Sequence, residues 1–522
     1  MKLPTNINSL YIDMKPRLNA VLEQSIKEHW DLPCFSNFQG ETFTYGQVAQ
    51  QIAKYHQMWH DAGLEPGFHI ALWGRNSAQW SIALLAAFTY RAVAVPLLHE
   101  FTPDMVKRLT EHAECQLVLT NKELVTLEDC PQIGPDDVHY KSHKPDELLM
   151  INYTSGTTSE PKGVMIPERA MWSNMAFAEQ VLPNLHAGMK VVSLLPTAHL
   201  YGMSFELMYE FCVGIHVTFI TKALAAPVIL QAFKEVRPHL IIVVPMLIEK
   251  IVRKGIMPQY RNQKIQLMRK IPLLRGNINN RFRDGLMEAL GGRAYEVIIG
   301  GAGLNAEVEN LLKEIKFPFT VGYGMTECAP IIGYSDWKDF VRSSCGVAAP
   351  RMEVRIDSED PQNVPGEILA KGMNVMLGYY KNEEATQKAI DEEGWLHTGD
   401  MGVMDSMGNI FIRGRIKNML LSGSGQNIYP EEIEAEVCNL PYVQECVVVQ
   451  REHRLIALVY PDRDAAAAAG LKDDRSILEF YSSKSKEVNH KFPVYAQVNA
   501  FELVAEEFEK TPKKSIKRFL YK

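Results

Sequence analysis

Over residues 153–163 the chain reads YTSGTTSEPKG, directly after the apolar run LLMINY. Thr154, Ser155, Thr157, Thr158 and Ser159 surround Gly156, and Lys162 with Gly163 closes the segment. Such a loop can turn backbone N–H groups and hydroxyls onto a polyphosphate while the lysine supplies positive charge. It is not a Walker A loop, GxxxxGK[ST], because Lys162 is followed by glycine after an unrelated spacing. Taken alone, a run of Ser, Thr and Gly is more often a plain surface loop, and that reading leads until other motifs join it.

Other chemistries fail on spacing. Residues 301–306, GAGLNA, fit GxGxxA after an expected strand, but the acidic residue of a dinucleotide-binding fingerprint is absent about 20 residues on. There is no GxSxG elbow and no HExxH. The eight cysteines form no CxxC pair; the closest two, Cys438 and Cys446, lack the histidines a zinc site would want. Lone histidines such as His69 and His216 read as core or surface residues.

The elements that must position the loop belong to a large chain. At about 100–200 residues per domain, 522 residues make three or four compact units or one composite enzyme. Hydrophobic residues at 46 % and charged residues at 22 % exclude wholesale disorder. A net charge of −7 argues against a general nucleic-acid binder. No signal-like or spanning segment is read: the most apolar window, 81–98, is interrupted by Arg91 and Pro96 and suits a buried helix followed by a buried strand. A reduced, cytoplasmic setting is the expectation. Residues 250–283 hold ten basic residues and no acidic one among Ile, Met and Leu, read first as a solvated helical face and second as a surface for anionic lipid at the inner membrane face or for a phosphate-rich ligand.

The pattern predicts a helix at 44–63, a strand at 69–73, a helix at 81–87 and a strand at 92–95. Further strands are expected at 116–120, 148–153, 190–195, 216–220, 240–244, 296–299 and 319–322, with helical stretches between most of them. That alternation implies α/β layers with largely parallel sheets. After about residue 350, short strands at 354–356, 366–370, 402–404 and 409–412 suggest a small β-rich unit. A third, α+β unit follows Arg415, with a helix at 430–438 and strands at 443–450 and 455–460.

In chain order, several segments resemble the adenylate-forming superfamily of acyl- and aryl-CoA synthetases, luciferases and peptide-synthetase adenylation domains. YTSGTTSEPKG resembles its phosphate loop, and LPTAHLYG (195–202) the segment whose histidine or aromatic lies between nucleotide and acyl pocket. GGAGL (300–304) resembles the adenine-contacting turn, and GYGMTE (322–327) the motif whose threonine and glutamate meet the α-phosphate and Mg²⁺. GWLHTGD (394–400) ends in the aspartate that binds ribose, and GRIKNMLLSGSGQNIYPEEIE (414–434) is similar to the hinge and the start of a mobile domain. These matches run from about residue 44 to 518.

The resemblance implies a large AMP-binding and acyl-binding domain at 1–413, a hinge at 414–417 centred on Lys417, and a mobile C-terminal domain at 418–522. It implies an ATP site of Thr154, Ser155, Gly156, Thr157, Thr158, Lys162, Gly301, Ala302, Gly303, Tyr323, Gly324, Met325, Thr326, Asp400 and Arg415. Thr154 and Glu327 would contact Mg²⁺, hard oxygen donors that leave room for phosphate and water. Lys162 would steady the β- and γ-phosphates, Asp400 and Arg415 would meet the ribose, and His199 would border the acyl site. The implied reaction joins a carboxylate to the α-phosphorus of ATP and then passes the acyl group to CoA. Positioned cations and hydroxyl donors would carry most of the catalysis.

Three positions depart from the family pattern. Ser159 stands where glycine is usual, and Asn418 replaces the acidic residue common after the hinge, with little effect expected. The stretch 510–518, KTPKKSIKR, resembles KTxxGKIxR, but gapless alignment places Lys514 at the glycine and Ser515 at the lysine. Either Lys514, the expected catalytic lysine, or its neighbour Lys513 reaches the α-phosphate through a shifted register, or adenylation is impaired; the plainer reading of these lysines is a solvated tail.

The block 394–434 is similar to the signature of fatty-acyl-CoA synthetases, and VPMLIEKI (244–251) to the long-chain branch. The acyl pocket is expected near His199, Tyr201 and 322–334, where Gly322, Gly324, Ala329 and Gly333 would leave space for a chain. The first reading is a fatty-acid–CoA ligase using ATP, Mg²⁺ and CoA, without nucleic acid. Alternatives within the class are transfer to an acyl-carrier protein or activation of an aryl acid. A non-catalytic nucleotide-binding regulator is the alternative of another class.

Overall fold

The computed structural model describes residues 17–124, 129–154, 161–423, 425–510 and 516–521. Helix Ala78–Tyr90 explains the architecture. Only Gln79 and Tyr90 of its residues escape full burial, because it touches strand Pro33–Asn37 on one side and strands His69–Trp73 and Val93–Leu97 on the other. Apolar on every side, it fills the layer between two sheets. The 81–98 window is thus the buried helix and strand expected. Ser77 caps it, accepting from Trp80 N–H at 3.1 Å.

The first sheet has six strands in the order Gly378–Tyr379, Gly163–Pro167, Leu148–Tyr153, Val93–Leu97, His69–Trp73 and Leu117–Thr120. Its last four are parallel, whereas Gly163–Pro167 returns antiparallel to Leu148–Tyr153. The strands on either side of the expected phosphate loop are therefore antiparallel partners, and Gly163–Pro167 is a strand that the apolar pattern does not announce. The second sheet has seven strands, ordered Phe319–Val321, Glu296–Ile299, Leu240–Val243, Lys190–Ser193, His216–Phe219, Pro33–Asn37 and Thr42–Thr44, all parallel except the last.

The β-rich unit is an antiparallel four-stranded sheet of Met352–Asp357, Gly366–Gly372, Leu396–Met404 and Ile410–Arg415. Beyond Arg415, strands Val443–Arg451, Arg454–Pro461 and Val498–Leu503 carry helices Pro430–Val437 and Asp474–Ser483 over a core of their own, including Ile433, Val459, Tyr481 and Phe501. This α+β unit touches the larger body through Arg413 Nη1 to Glu432 Oε1 at 3.2 Å and Asn305 Nδ2 to Asn439 Oδ1 at 2.6 Å. The fold class is mixed α/β, as expected.

Candidate active site

In sheets of parallel strands, ligands gather where the carboxyl ends of the strands open. Three candidate segments leave such ends in the seven-stranded sheet: 194–202 after Lys190–Ser193, 300–304 after Glu296–Ile299, and 322–327 after Phe319–Val321. The hairpin of the six-stranded sheet joins them from the other side. Asn152, on its first strand, donates from Nδ2 to the carbonyl of Ala198 at 2.9 Å, beside His199. His199 itself precedes the short helix Leu200–Met203, its N–H bonded to the carbonyl of Pro196 at 2.9 Å.

The neck of the phosphate loop is closed by Thr154 N–H donating to the carbonyl of Lys162 at 2.9 Å. Ser155, Gly156, Thr157 and Thr158 lie outside the described residues, as does Ser159. Lys162 Nζ sits over the ring of Tyr379, 4.6 Å from its centroid, and the Tyr379 hydroxyl donates to Glu327 Oε1 at 2.9 Å. Tyr379 is held there because strand Gly378–Tyr379 pairs antiparallel with Gly163–Pro167. Burial, with the Glu327 charge beside it, pushes its hydroxyl above the usual tyrosine range, so it stays protonated and donating. Sequence reasoning missed Tyr379; the signal available was an aromatic after glycine at a sheet edge, which carries no chemistry until pairing puts it beside Lys162 and Glu327.

Glu327 is buried and gives one oxygen to Tyr379. Together with the Thr154 hydroxyl it offers hard oxygens, and among the described residues no cluster of three or more His, Cys, Asp or Glu could hold a metal by itself. That donor chemistry fits Mg²⁺, which takes one or two protein oxygens and completes its shell with phosphates and water.

The second grouping is Asp400, Tyr323 and Arg415. Asp400 is buried, accepts from the Tyr323 hydroxyl at 2.8 Å, and lies 3.0 Å from Arg415 Nε, whose guanidinium is largely exposed. Burial raises the Asp400 carboxyl above its usual value, while the Arg415 charge and the Tyr323 bond pull the other way. The Gly301–Ala302–Gly303 turn is exposed, and Gly301 has φ +86, where glycine is favoured. Lys417 lies in the single turn Ile416–Asn418 directly after strand Ile410–Arg415. Asn418 is not idle: its Nδ2 donates to Glu431 Oε1 at 2.6 Å. Lys513, Lys514 and Ser515 lie outside the described residues. Their flanks are tied into the C-terminal unit, Lys510 Nζ to Glu445 at 2.5 Å and Arg518 to Glu434.

The expected acyl space needs correction at two of its positions, Gly324 and Gly333; a Cβ on Gly322 would meet only ordinary contacts, 3.7 Å from Ile331. A Cβ on Gly324 would stand 2.1 Å from the carbonyl oxygen of Pro330, and one on Gly333 would stand 3.0 Å from that of Cys345. These glycines permit close approach of backbones around strands Tyr323–Gly324 and Ile331–Tyr334 rather than leaving room for a chain. Tyr201 packs its ring on Gly300, and Phe205, Phe177 and Tyr334 follow with centroid separations of 6.2, 5.9 and 5.3 Å. Behind this aromatic row lies Glu206, unnoticed in the sequence. It sits in the π-helical turn Ser204–Met208 and accepts from Leu195 N–H at 2.9 Å and Ser193 Oγ at 3.1 Å. It thereby fixes the exit of the chain toward His199. Burial pushes its carboxyl up to about 8.

A family model described as AMP-binding enzyme matches residues 22–380, more than half of the chain. The chain belongs to the AMP-binding enzyme family. The adenylate-forming superfamily expected from the motif order is thus its own, and the chemistry of that family is ATP- and Mg²⁺-dependent activation of an acid followed by ligation to CoA. Among the relatives of this AMP-binding enzyme, long chain acyl-CoA synthetase 7 of Arabidopsis thaliana is 28 % identical over 82 % of this chain and 70 % of its own. A long-chain-fatty-acid–CoA ligase of Escherichia coli is 27 % identical over 86 % and 84 %, and 4-coumarate-CoA ligase 1 of Narcissus pseudonarcissus is 26 % identical over 86 % and 83 %. The solved structure of ATP-bound MatB from Rhodopseudomonas palustris superposes with a TM-score of 0.76 at 21 % identity, covering 97 % of this chain and 98 % of its own, and shares the fold. Among the described residues, no helix is long and apolar enough to cross a membrane.

Proposed function

We propose that this AMP-binding enzyme activates a fatty acid with ATP and transfers the acyl group to CoA. The observation that carries the nucleotide half is the Asp400–Tyr323–Arg415 group. A buried carboxylate held between a neutral hydroxyl and a guanidinium suits the paired hydroxyls of a ribose. In the reaction, a carboxylate oxygen of the acid bonds to the α-phosphorus and the bond to pyrophosphate breaks. Lys162 would steady the β- and γ-phosphates, and Glu327, held beside it by Tyr379, would act at the α-phosphate. Thr154 and Glu327 would hold Mg²⁺, which supplies charge neutralisation for the phosphates when bound. The CoA thiol then attacks the acyl carbon, its proton goes to solvent or a base, and AMP leaves. Lys514 would approach the α-phosphate, and Lys417 would be the pivot by which the 418–522 unit turns between the two half-reactions.

The fatty-acid reading rests on the resemblance of 394–434 and 244–251 to that branch and on relatives named as long-chain synthetases. The row Tyr201, Phe205, Phe177 and Tyr334 favours a second reading, an aryl acid stacked on aromatic faces. Acid-dependent ATP–pyrophosphate exchange across short, medium, long and aromatic acids, with CoA then added, tests both. Exchange with long acids and thioester formation is expected; exchange with aromatic acids alone would select the second reading, and exchange without transfer to CoA would point to a carrier protein.

A further inference from the structure

The fold disposes of half the cations in the basic stretch 250–283. Arg253 donates to the carbonyl of Cys438 at 3.1 Å, Arg261 pairs with Glu307, Arg269 and Arg275 share Glu314, and Arg283 reaches Asp284 at 3.0 Å. Lys250, Lys254, Lys264, Lys270 and Arg281 have no ion pair among the described residues. Two of these, Lys264 and Lys270, bracket an inverted helix. Along Gln263–Arg269 and the residues after it, Lys264, Leu267, Met268 and Ile271 follow the spacing i, i+3, i+4, i+7 that places them on one face. A surface helix ordinarily turns such a stripe to the core. Here it faces out: Leu267 is 67 % exposed, Met268 41 % and Ile271 49 %, and Leu273, opening helix Pro272–Ala289, is 88 % exposed.

The polar side of this helix is pinned inward, which fixes the inversion. Gln266 Nε2 donates to the carbonyl of Tyr260 at 2.6 Å, and the Arg269 guanidinium stacks on the Tyr260 ring at 4.0 Å. An outward apolar row of this kind marks an interaction surface. We propose that Leu267, Met268, Ile271 and Leu273, flanked by Lys264 and Lys270, dock this protein on an anionic lipid bilayer. The apolar side chains enter the acyl boundary while the ammonium groups stay at headgroup level. Leu273 stands clear of its neighbours rather than lining a groove, as an entering side chain must. A second copy of the same face would bring unpaired lysines together, which like-charge repulsion disfavours. The patch also connects to the site: helix Pro245–Ile251 starts at the end of strand Leu240–Val243, and the chain continues helically through Val252–Ile256 and Met257–Tyr260, then turns at residues 261–262 into helix Gln263–Arg269.

The test is sedimentation of the full chain, without acid, ATP or CoA, on phosphatidylcholine vesicles with and without about a third phosphatidylglycerol. Binding is expected on the anionic vesicles, weakened by added salt. It should fall at least about tenfold in Leu267→Asp/Leu273→Asp and in Lys264→Glu/Lys270→Glu, with unchanged melting temperature and unchanged thioester formation from a water-soluble acid. Wild-type protein left in the supernatant, equal binding to neutral vesicles, or either variant binding like wild type would overturn the proposal. So would capture of an acidic carrier protein or a second copy by this face without vesicle binding. Because no substrate is present, such a failure leaves the ligase reading untouched.

Discussion

Asp400 and Arg415 face each other across the antiparallel pair of Leu396–Met404 and Ile410–Arg415, with Nε 3.0 Å from Oδ1. One partner is buried and the other exposed, and Arg415 is the last residue of its strand before the turn that holds Lys417. Arg415, paired with the buried Asp400, therefore stands two residues before the proposed pivot Lys417. Rotation beyond Arg415 would be felt directly at the carboxylate.

Asp400→Ala removes a charged acceptor from Tyr323 and Arg415 and from the nucleoside. Its ATP KM in pyrophosphate exchange should rise roughly 10- to 100-fold, the range for charge-assisted hydrogen bonds. Asp400→Asn keeps an acceptor for Tyr323 and should fall between the two. Exchange kinetics at varied ATP checks this, and an alanine variant with the wild-type KM would remove Asp400 from the site.

Tyr379→Phe deletes the 2.9 Å bond to Glu327 but keeps a ring for Lys162. Maximal exchange rate should drop about tenfold, with a smaller change in ATP KM, because what is lost is the fixing of a carboxylate rather than a ligand contact. Glu327→Gln should cost about 100-fold or more in the same assay. Rates for both variants at saturating ATP and acid decide it.

The motifs proposed for this site are readable because they are continuous, and 194–202, 300–304 and 322–327 each follow the end of a strand, whereas Asp400 lies inside strand Leu396–Met404. The strands at 69–73, 148–153 and 296–299 lie where the apolar runs put them, since fully buried strands announce themselves by composition. What was not legible depends on pairing across long separations. Gly163–Pro167 is a five-residue strand made plausible only by its partners Leu148–Tyr153 and Gly378–Tyr379. Tyr379 gains its role only through that pairing. Gly324 and Gly333 were misread as empty space, because a glycine that admits a passing backbone and one that admits a ligand look alike in sequence. Glu206 resembled any helical glutamate until the π-helical turn placed it under Leu194 and Leu195.

Gly324→Ala should destabilise the protein by about 1–3 kcal/mol, since the added Cβ meets the carbonyl oxygen of Pro330 at 2.1 Å. The ribbon that leads to Glu327 must shift to relieve the contact, so activity should fall with stability. Thermal unfolding beside exchange rate measures both.

The Glu206 carboxyl, pushed up to about 8 by burial from its ordinary value of 4.5, makes stability depend on pH. Because the folded value lies above the unfolded one, its contribution is complete below about pH 4.3 and is lost as pH rises toward the folded value. Glu206→Gln cannot ionise, so its melting temperature should gain on wild type between about pH 5 and about pH 8. A difference that does not change with pH would contradict this.

The central claim is that the acid attacks the α-phosphorus of ATP, and an acid labelled with ¹⁸O in both carboxylate oxygens tests it most directly. After turnover with ATP and CoA, one labelled oxygen is predicted in the phosphate of AMP and the other in the thioester carbonyl, with none in pyrophosphate. Label absent from AMP, or found in pyrophosphate, in inorganic phosphate or in ADP, would contradict the account.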